Sequence, residues 1–396
     1  MLNRRSLRIK AMQAIYSFKQ SEASHYELAK ELIDDTFAPD LNSMVVQDKT
    51  ALREKATRTR KLFVKNFKSD SVDFESEQDE EIRKGVISAI NYYRNQVRKD
   101  REFYKKNMVA ETESVYDIYF MLLALLPAFG EQAYQLEEGK KNRHLEENKA
   151  RVAANLNLYN NKVVRILRED PALKQILIKN DIGWEGEREQ VRTWYRDVLL
   201  KDQKYMDYLK LDDPNLDEDR KIVNHIVKNL VFKSEPTSKY MEEQDLSWEE
   251  DKAALRSMVT KSLKSADPEE PQTDRLTLIN LSNNWDDDRE FYKDLYSHTL
   301  ENEKEYENII AGKAKNWDVD RMAATDQIIL KMGLAEMLQF PSIPVKVTIN
   351  EYIEISKLYS TPKSKQFING ILDVLAQELT DSGAIRKSGR GLIDNK

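Results

Sequence analysis

Glycine and proline are the residues that most readily interrupt a helix, and this chain of 396 residues has only eleven and ten of them. A sequence this poor in both fits long helices better than a turn-rich all-β fold. The prolines near the C-terminus act as punctuation. QFPSIP holds Pro341 and Pro344, each of which restricts the residue before it. STPKS holds Pro362, which closes a turn, with Ser364 as the expected N-cap. Around these marks the apolar spacing predicts helices at 287–311, 319–339, 345–359 and 365–379.

The N-terminal part follows the same period. Leu7, Ala11 with Met12, Ile15 and Phe18 recur at helical steps over 4–18, while Arg4, Arg5, Arg8 and Lys10 fall largely on other sides. From residue 21 to about 81 the pattern weakens, and a loose helical or disordered connector is expected, flexible over 40–81. Helical periodicity returns from 82 to about 134 and continues in pieces, including PALKQILI and VRTWYRDVLL, to about 263. The stretch 264–274 reads as a loop, and the polar tail 381–396 reads as disordered. The expected fold is all-α.

The longest apolar run is IYFMLLALLPAF, residues 118–129. Twelve residues with an internal proline fall short of the ~20 that span a bilayer, so a buried helix is expected. The start, MLNRRSLRIK, lacks the apolar core and cleavage site of a signal peptide. With no cysteine in the chain, disulfides, thiolate metal sites and cysteine nucleophiles are excluded. A cytoplasmic protein with no membrane partner follows as the expectation.

Catalytic signatures are missing. His25, His144, His225 and His298 show no metal-binding spacing, and there is neither GxxxxGK[ST] nor GxGxxG. No enzyme, metal or cofactor is expected. The net charge of −6 does not by itself advertise nucleic acid, but its distribution is uneven. Residues 1–20 carry five cations and no acid, residues 49–68 carry eight cations and one acid, and residues 70–81 carry seven acids and no base.

Two segments stand apart: NRRSLRIKAMQAIYSF at the start, and 316–373 with its NWDVDR, IPVKVTINEYIEISK and SKQFINGILD elements. Together they resemble the NusB transcription antitermination factor family. The resemblance covers residues 1–20 and 285–380 and leaves 21–284 as a large, mostly helical insertion. It implies an all-helical domain that binds boxA-type RNA with the small-subunit ribosomal protein known as NusE. In that role it would serve an RNA polymerase antitermination complex that reads through ribosomal RNA operons. It also implies that Asp326, with Tyr16 and Glu336 as further candidates, faces the ribosomal protein.

The residue chemistry suits single-stranded RNA, which needs cations for phosphates and a flat group for an unpaired base. Arg4, Arg5 and Arg8 supply fork-shaped donors. Lys363, Ser364 and Lys365 stand at a helix entrance that favours anions, with Phe367 one turn in and Asn369 beyond it. Each has a plainer reading: a solvated face for the arginines, core packing beside Ile371 for Phe367, close helix approach for Gly370. Lys363 stands where the family often carries an acid, which would strengthen phosphate attraction. The block 49–68 has no family counterpart and reads first as a solvated helix and second as an extension of the RNA path, with the acids of 70–81 shielding it in the free protein. The rival reading is a helical adaptor that binds proteins and not RNA.

Overall fold

The computed structural model describes residues 1–42, 44, 46–141, 156–313 and 322–395, and among these every regular element is helical. The whole NWDVDR element, the expected helix start at 319 and His144 lie outside the described residues. Helices of eight residues or more are numbered α1 (Arg4–Thr36), α2 (Lys49–Asn66), α3 (Glu80–Lys141), α4 (Lys162–Glu169), α5 (Pro171–Lys179), α6 (Leu216–His225), α7 (Glu235–Gln244), α8 (Trp248–Ser265), α9 (Trp285–Glu301), α10 (Glu303–Lys313), α11 (Ala324–Gln339), α12 (Val345–Tyr359) and α13 (Pro362–Asp381). The chain divides into two compact units, residues 1–7 with 110–288 and residues 8–109 with 289–396.

The first unit is built on the apolar half of α3. Tyr119, Phe120, Leu123, Leu126 and Phe129 are buried there, and helical structure continues through Pro127. By length and composition α3 is apolar enough to cross a membrane, contrary to the twelve-residue limit read from the sequence. Tyr119, Phe120, Leu123, Leu126 and Phe129 of this helix are covered by protein, while Ile87 and Phe103 nearer its start are exposed. Tyr119 shares a hydrogen bond of 2.6 Å with Ser262 Oγ on α8 and accepts one from the Ile279 amide at 2.9 Å. Burial pushes its hydroxyl up to about 12.

The second unit has two parts. In one, α1, α2 and the start of α3 enclose Ala29, Ile33, Phe37, Leu62, Phe63, Ile82, Val86, Ile90 and Tyr93. Tyr26 stacks on Phe63 with 5.7 Å between centroids, and Phe67 meets Tyr93 edge-on at 5.3 Å. The loose connector expected over 21–81 is therefore corrected: α1 runs on to Thr36, and α2 is a capped helix whose Asp48 carboxylate accepts from the Thr50 and Ala51 amides. Spread-out apolar positions such as Tyr26, Ala29 and Ile33 complete a core only when three helices contribute.

In the other part, α11, α12 and α13 pack on one another with α10 against α11. The expected helix 287–311 is two helices, divided at Asn302. The 345–359 helix is found as Val345–Tyr359. The tail is also corrected. Ile385 is buried, the Ser388 amide donates to the Pro341 carbonyl at 2.9 Å, and Lys387 Nζ donates to the Phe340 carbonyl at 2.9 Å. A Cβ on Gly391 would lie 2.1 Å from the Pro341 carbonyl oxygen, so only glycine lets the backbones meet.

A charge network ties α1 to α10 and α11. Lys19 Nζ lies 2.9 Å from Glu303, and Lys331 Nζ lies 2.6 Å from Glu303 and 2.7 Å from Glu307. Burial alone would raise the Glu303 carboxyl, but the two lysines outweigh it and hold it below the usual range. Lys19 is likewise raised: burial pulls it down, and Glu22 and Glu303 more than compensate. A depressed carboxyl stabilises the fold above its unfolded value of about 4.3, and that stability is lost as pH falls through its folded value. A raised lysine contributes below about 10.4 and is lost as pH rises through its folded value. The gap in Tm between wild type and Glu303→Gln is therefore expected to be steady near neutrality and to shrink below about pH 4. A gap that persists into acid contradicts the network.

Candidate nucleic-acid interface

The entrance of α13 is set by three short-range choices. Thr361 is the N-cap, its side chain accepting from the Ser364 amide at 3.2 Å. Pro362 occupies the first helical position, where its fixed φ fits and its missing N–H costs nothing. Lys365 N closes the first helical bond, to the Thr361 carbonyl at 3.0 Å. The expected N-cap at Ser364 is corrected by one turn: Ser364 sits inside the helix, its hydroxyl 2.9 Å from that of Thr361. Among the described residues no acceptor takes the Lys363 amide, one of the unpaired N–H groups of the helix start, and the Lys363 side chain is exposed.

Helical spacing then makes a stripe. Lys363, Phe367, Gly370 and Val374 stand at i, i+4, i+7 and i+11 on one side. Lys363 and Gly370 are exposed, Val374 is 47% exposed, and Phe367 is half-buried at the edge. The opposite side, Ile368, Ile371, Leu372 and Leu375, is buried. Lys365 and Asn369 are half-buried, and Asn369 Nδ2 donates to Asp373 at 3.2 Å.

Gly370 corrects another expectation. A Cβ there would meet nothing within 4 Å, so no helix approaches it closely. An exposed mid-helix glycine costs about 0.5–1 kcal/mol relative to alanine. Gly370→Ala is therefore expected to raise stability by about that amount, read as a higher midpoint in urea. A lower midpoint would reveal a contact absent from this packing.

Arg8 and Glu336 are brought together, away from any surface. Arg8 is 2% exposed and Glu336 0%. Arg8 Nε and Nη2 donate to the two carboxylate oxygens at 2.7 and 2.6 Å. The Thr348 hydroxyl donates to the same carboxylate at 2.9 Å and the Tyr352 hydroxyl at 3.1 Å. Burial would lower the Arg8 guanidinium, but Glu336 outweighs it and drives its pKa higher. Burial, reinforced by Glu336, pushes the Tyr352 hydroxyl well up. The readings of Arg8 as an RNA contact and Glu336 as a partner contact are both corrected, because neither reaches solvent.

Asp326 is also buried, at 3% exposure, and accepts a hydrogen bond from the Ser360 hydroxyl. It joins the start of α11 to the turn before α13 and offers no open surface to a partner. Tyr16 is 39% exposed. Arg4 is exposed and pairs with Asp288 at 3.0 Å, and Arg5 is half-buried; both group with residues 110–288. Sequence reading missed Val374 and the open side of Gly370, although the four-residue step from Lys363 was there to place them.

Comparison with known proteins agrees with this architecture. The NusB family model matches residues 253–377, from α8 into α13 and without the N-terminal twenty residues. The transcription antitermination protein NusB of Salinibacter ruber is 44% identical over 105 residues, 26% of this chain and 66% of that protein. The protein of the same name from Chloroherpeton thalassium is 42% identical over 106 residues, 27% of this chain and 50% of the relative. That of Geobacter sulfurreducens is 46% identical over 95 residues, 24% of this chain and 69% of the relative. The chain thus spans between half and about two thirds of the length of the curated relatives it matches. No solved structure matches it. With nearly half of the residues identical across most of the Geobacter protein and a family match running into the α13 stripe, the chain belongs to the NusB family.

Proposed function

We propose that this chain is a non-enzymatic, RNA-binding transcription antitermination factor. It binds boxA-type single-stranded RNA together with the small-subunit ribosomal protein NusE, in an RNA polymerase complex that reads through ribosomal RNA operons in the cytoplasm. The α13 stripe carries this reading. A cation and an unbonded amide at a helix start suit a phosphate, and a half-buried ring one turn on suits a splayed base. The relatives' name, transcription antitermination protein, supports the same role.

In this role Lys363, Ser364 and Lys365 hold phosphate, Phe367 stacks on a base, and Asn369 meets a base edge or sugar. Arg4 and Arg5 add phosphate contacts, and Tyr16 serves the ribosomal protein. Joined to α11 and α12 through Arg8, residues 1–20 act as the first helix of the domain completed by 285–380, with 21–284 as an insertion.

Fluorescence anisotropy with boxA-type and scrambled RNA tests this, at two salt concentrations and with or without NusE. Tighter binding to boxA, enhanced by NusE, is expected. Lys363→Ala should weaken both RNAs and reduce the salt slope by about 1. Equal, weak binding to both RNAs with an unchanged slope would instead leave a protein-binding adaptor.

A further inference from the structure

The cations of α2 fall on two sides of the helix. One side meets a single acidic segment. On the other, Arg60 pairs with Asp34 of α1, while Lys49, Arg53 and Lys61 meet no acid among the described residues. Lys55 Nζ lies 3.0 Å from Asp79 and 2.6 Å from Glu81. One Arg58 nitrogen donates to both oxygens of Glu77, at 2.6 and 2.5 Å. Lys65 Nζ lies 2.8 Å from Asp73 and 2.9 Å from Glu75. These carboxylates come from one segment, 73–81, where every second residue is acidic. The segment lies along the helix as a strap. Around the helix from it, Lys49, Arg53 and Lys61 are exposed, and among the described residues none has an ion-pair partner. The remaining side of α2, with Thr59, Leu62, Phe63 and Asn66, is buried in the three-helix core.

The strap is also fixed by contacts that do not use its carboxylates. The Asn66 side chain donates to the Asp73 carbonyl at 2.9 Å and accepts from the Asp73 amide at 2.7 Å. Arg83 lies over the Phe74 ring at 4.7 Å. Glu75 holds φ at 54°, in the left-handed region that favours glycine. Its carboxylate still reaches Lys65. The Lys55 and Lys65 pairs face solvent, as does the guanidinium of Arg58, although its Glu77 partner is largely covered. Ion pairs open to solvent contribute little to folding, so these cations can exchange the strap carboxylates for other anions while the anchors stay in place.

We propose that the cationic face of α2 is a second RNA-binding surface, for the phosphate backbone of single-stranded RNA, and that the acidic strap 73–81 is its built-in competitor. Lys49, Arg53 and Lys61 make the first phosphate contacts. RNA then displaces the strap carboxylates from Lys55, Arg58 and Lys65 and widens the cationic face. Because it reads charge and not bases, this surface extends the grip on RNA without choosing the sequence. Taking RNA as the ligand rests on the functional reading above, while the surface itself is independent of α13.

The test keeps the anchors and removes the charge. Asp73→Asn, Glu75→Gln and Glu77→Gln are combined in the full chain, with and without Lys363→Ala and Phe367→Leu, and labelled oligouridine is titrated at several salt concentrations. The expected result in both backgrounds is affinity higher on the order of ten-fold at low salt, with the salt slope steeper by about 2. Arg53→Glu with Lys61→Glu should abolish the gain. Unchanged affinity and slope in a variant with wild-type circular dichroism and Tm overturns the proposal. Should the neutralised strap fail to fold, Arg53→Glu with Lys61→Glu in the wild-type strap still decides: reduced oligouridine affinity supports the surface, and no change overturns it. A gain on strap neutralisation without any preference for boxA keeps the α2 surface and removes the α13 reading.

Discussion

Arg8→Ala is expected to cost about 3–5 kcal/mol of folding stability. The guanidinium is buried and donates two bonds to a carboxylate that is itself fully buried. Truncation leaves the Glu336 charge in the interior with only two neutral donors, the Thr348 and Tyr352 hydroxyls. Taking a charge from water is affordable only when a partner compensates for it. Glu336→Gln should fall short of that cost, since the amide keeps the shape and removes the unmatched charge on only one side. Chemical denaturation of the two single variants and of the double variant measures the pair directly. Additive costs would mean that the two groups do not act together.

Phe367→Leu carries the second large effect, on RNA and not on folding. Leucine keeps an apolar group against the buried side of α13 and removes the flat ring. Stacking of a base on an aromatic side chain is worth about 1–3 kcal/mol, so boxA affinity is expected to fall between roughly five- and 150-fold. The urea midpoint should move little. A large loss of stability with unchanged RNA affinity would mean that the ring belongs to the core.

How far the sequence reveals this structure depends on the range of the contact involved. The bounds of α12 were legible because prolines stand on both sides: Pro344 precedes the first helical residue, and Pro362 follows the last. The cap of α13 was misplaced because Thr361 and Ser364 carry equivalent hydroxyls, and a proline can close one turn or begin the next helix. The N-terminal arginines were legible as cations, but burial separates Arg8 from Arg4. Its partner is 328 residues away in the sequence, and local pattern carries no trace of that pairing. The tail was misread for a related reason. Two of its contacts run to the backbone carbonyls of Pro341 and Phe340, which no side-chain pattern records. Gly370 had a local signal pointing the wrong way, since a mid-helix glycine usually marks close packing and here faces open space.

The insertion was legible as helical and obscure in purpose. The alternation of acids from 73 to 81 was visible, as was the cationic block before it. Their register against each other depended on the Asn66 clamp and the Phe74 anchor, which only the folded chain brings together.

Ultraviolet crosslinking tests the central claim most directly, with boxA-type RNA bound to the full chain with NusE and the linked peptide identified by mass spectrometry. The expected peptide contains Phe367, and the crosslink should disappear in Phe367→Leu and weaken with scrambled RNA. Crosslinks confined to other helices, with the α13 entrance unmodified, would contradict the claim that this stripe reads RNA.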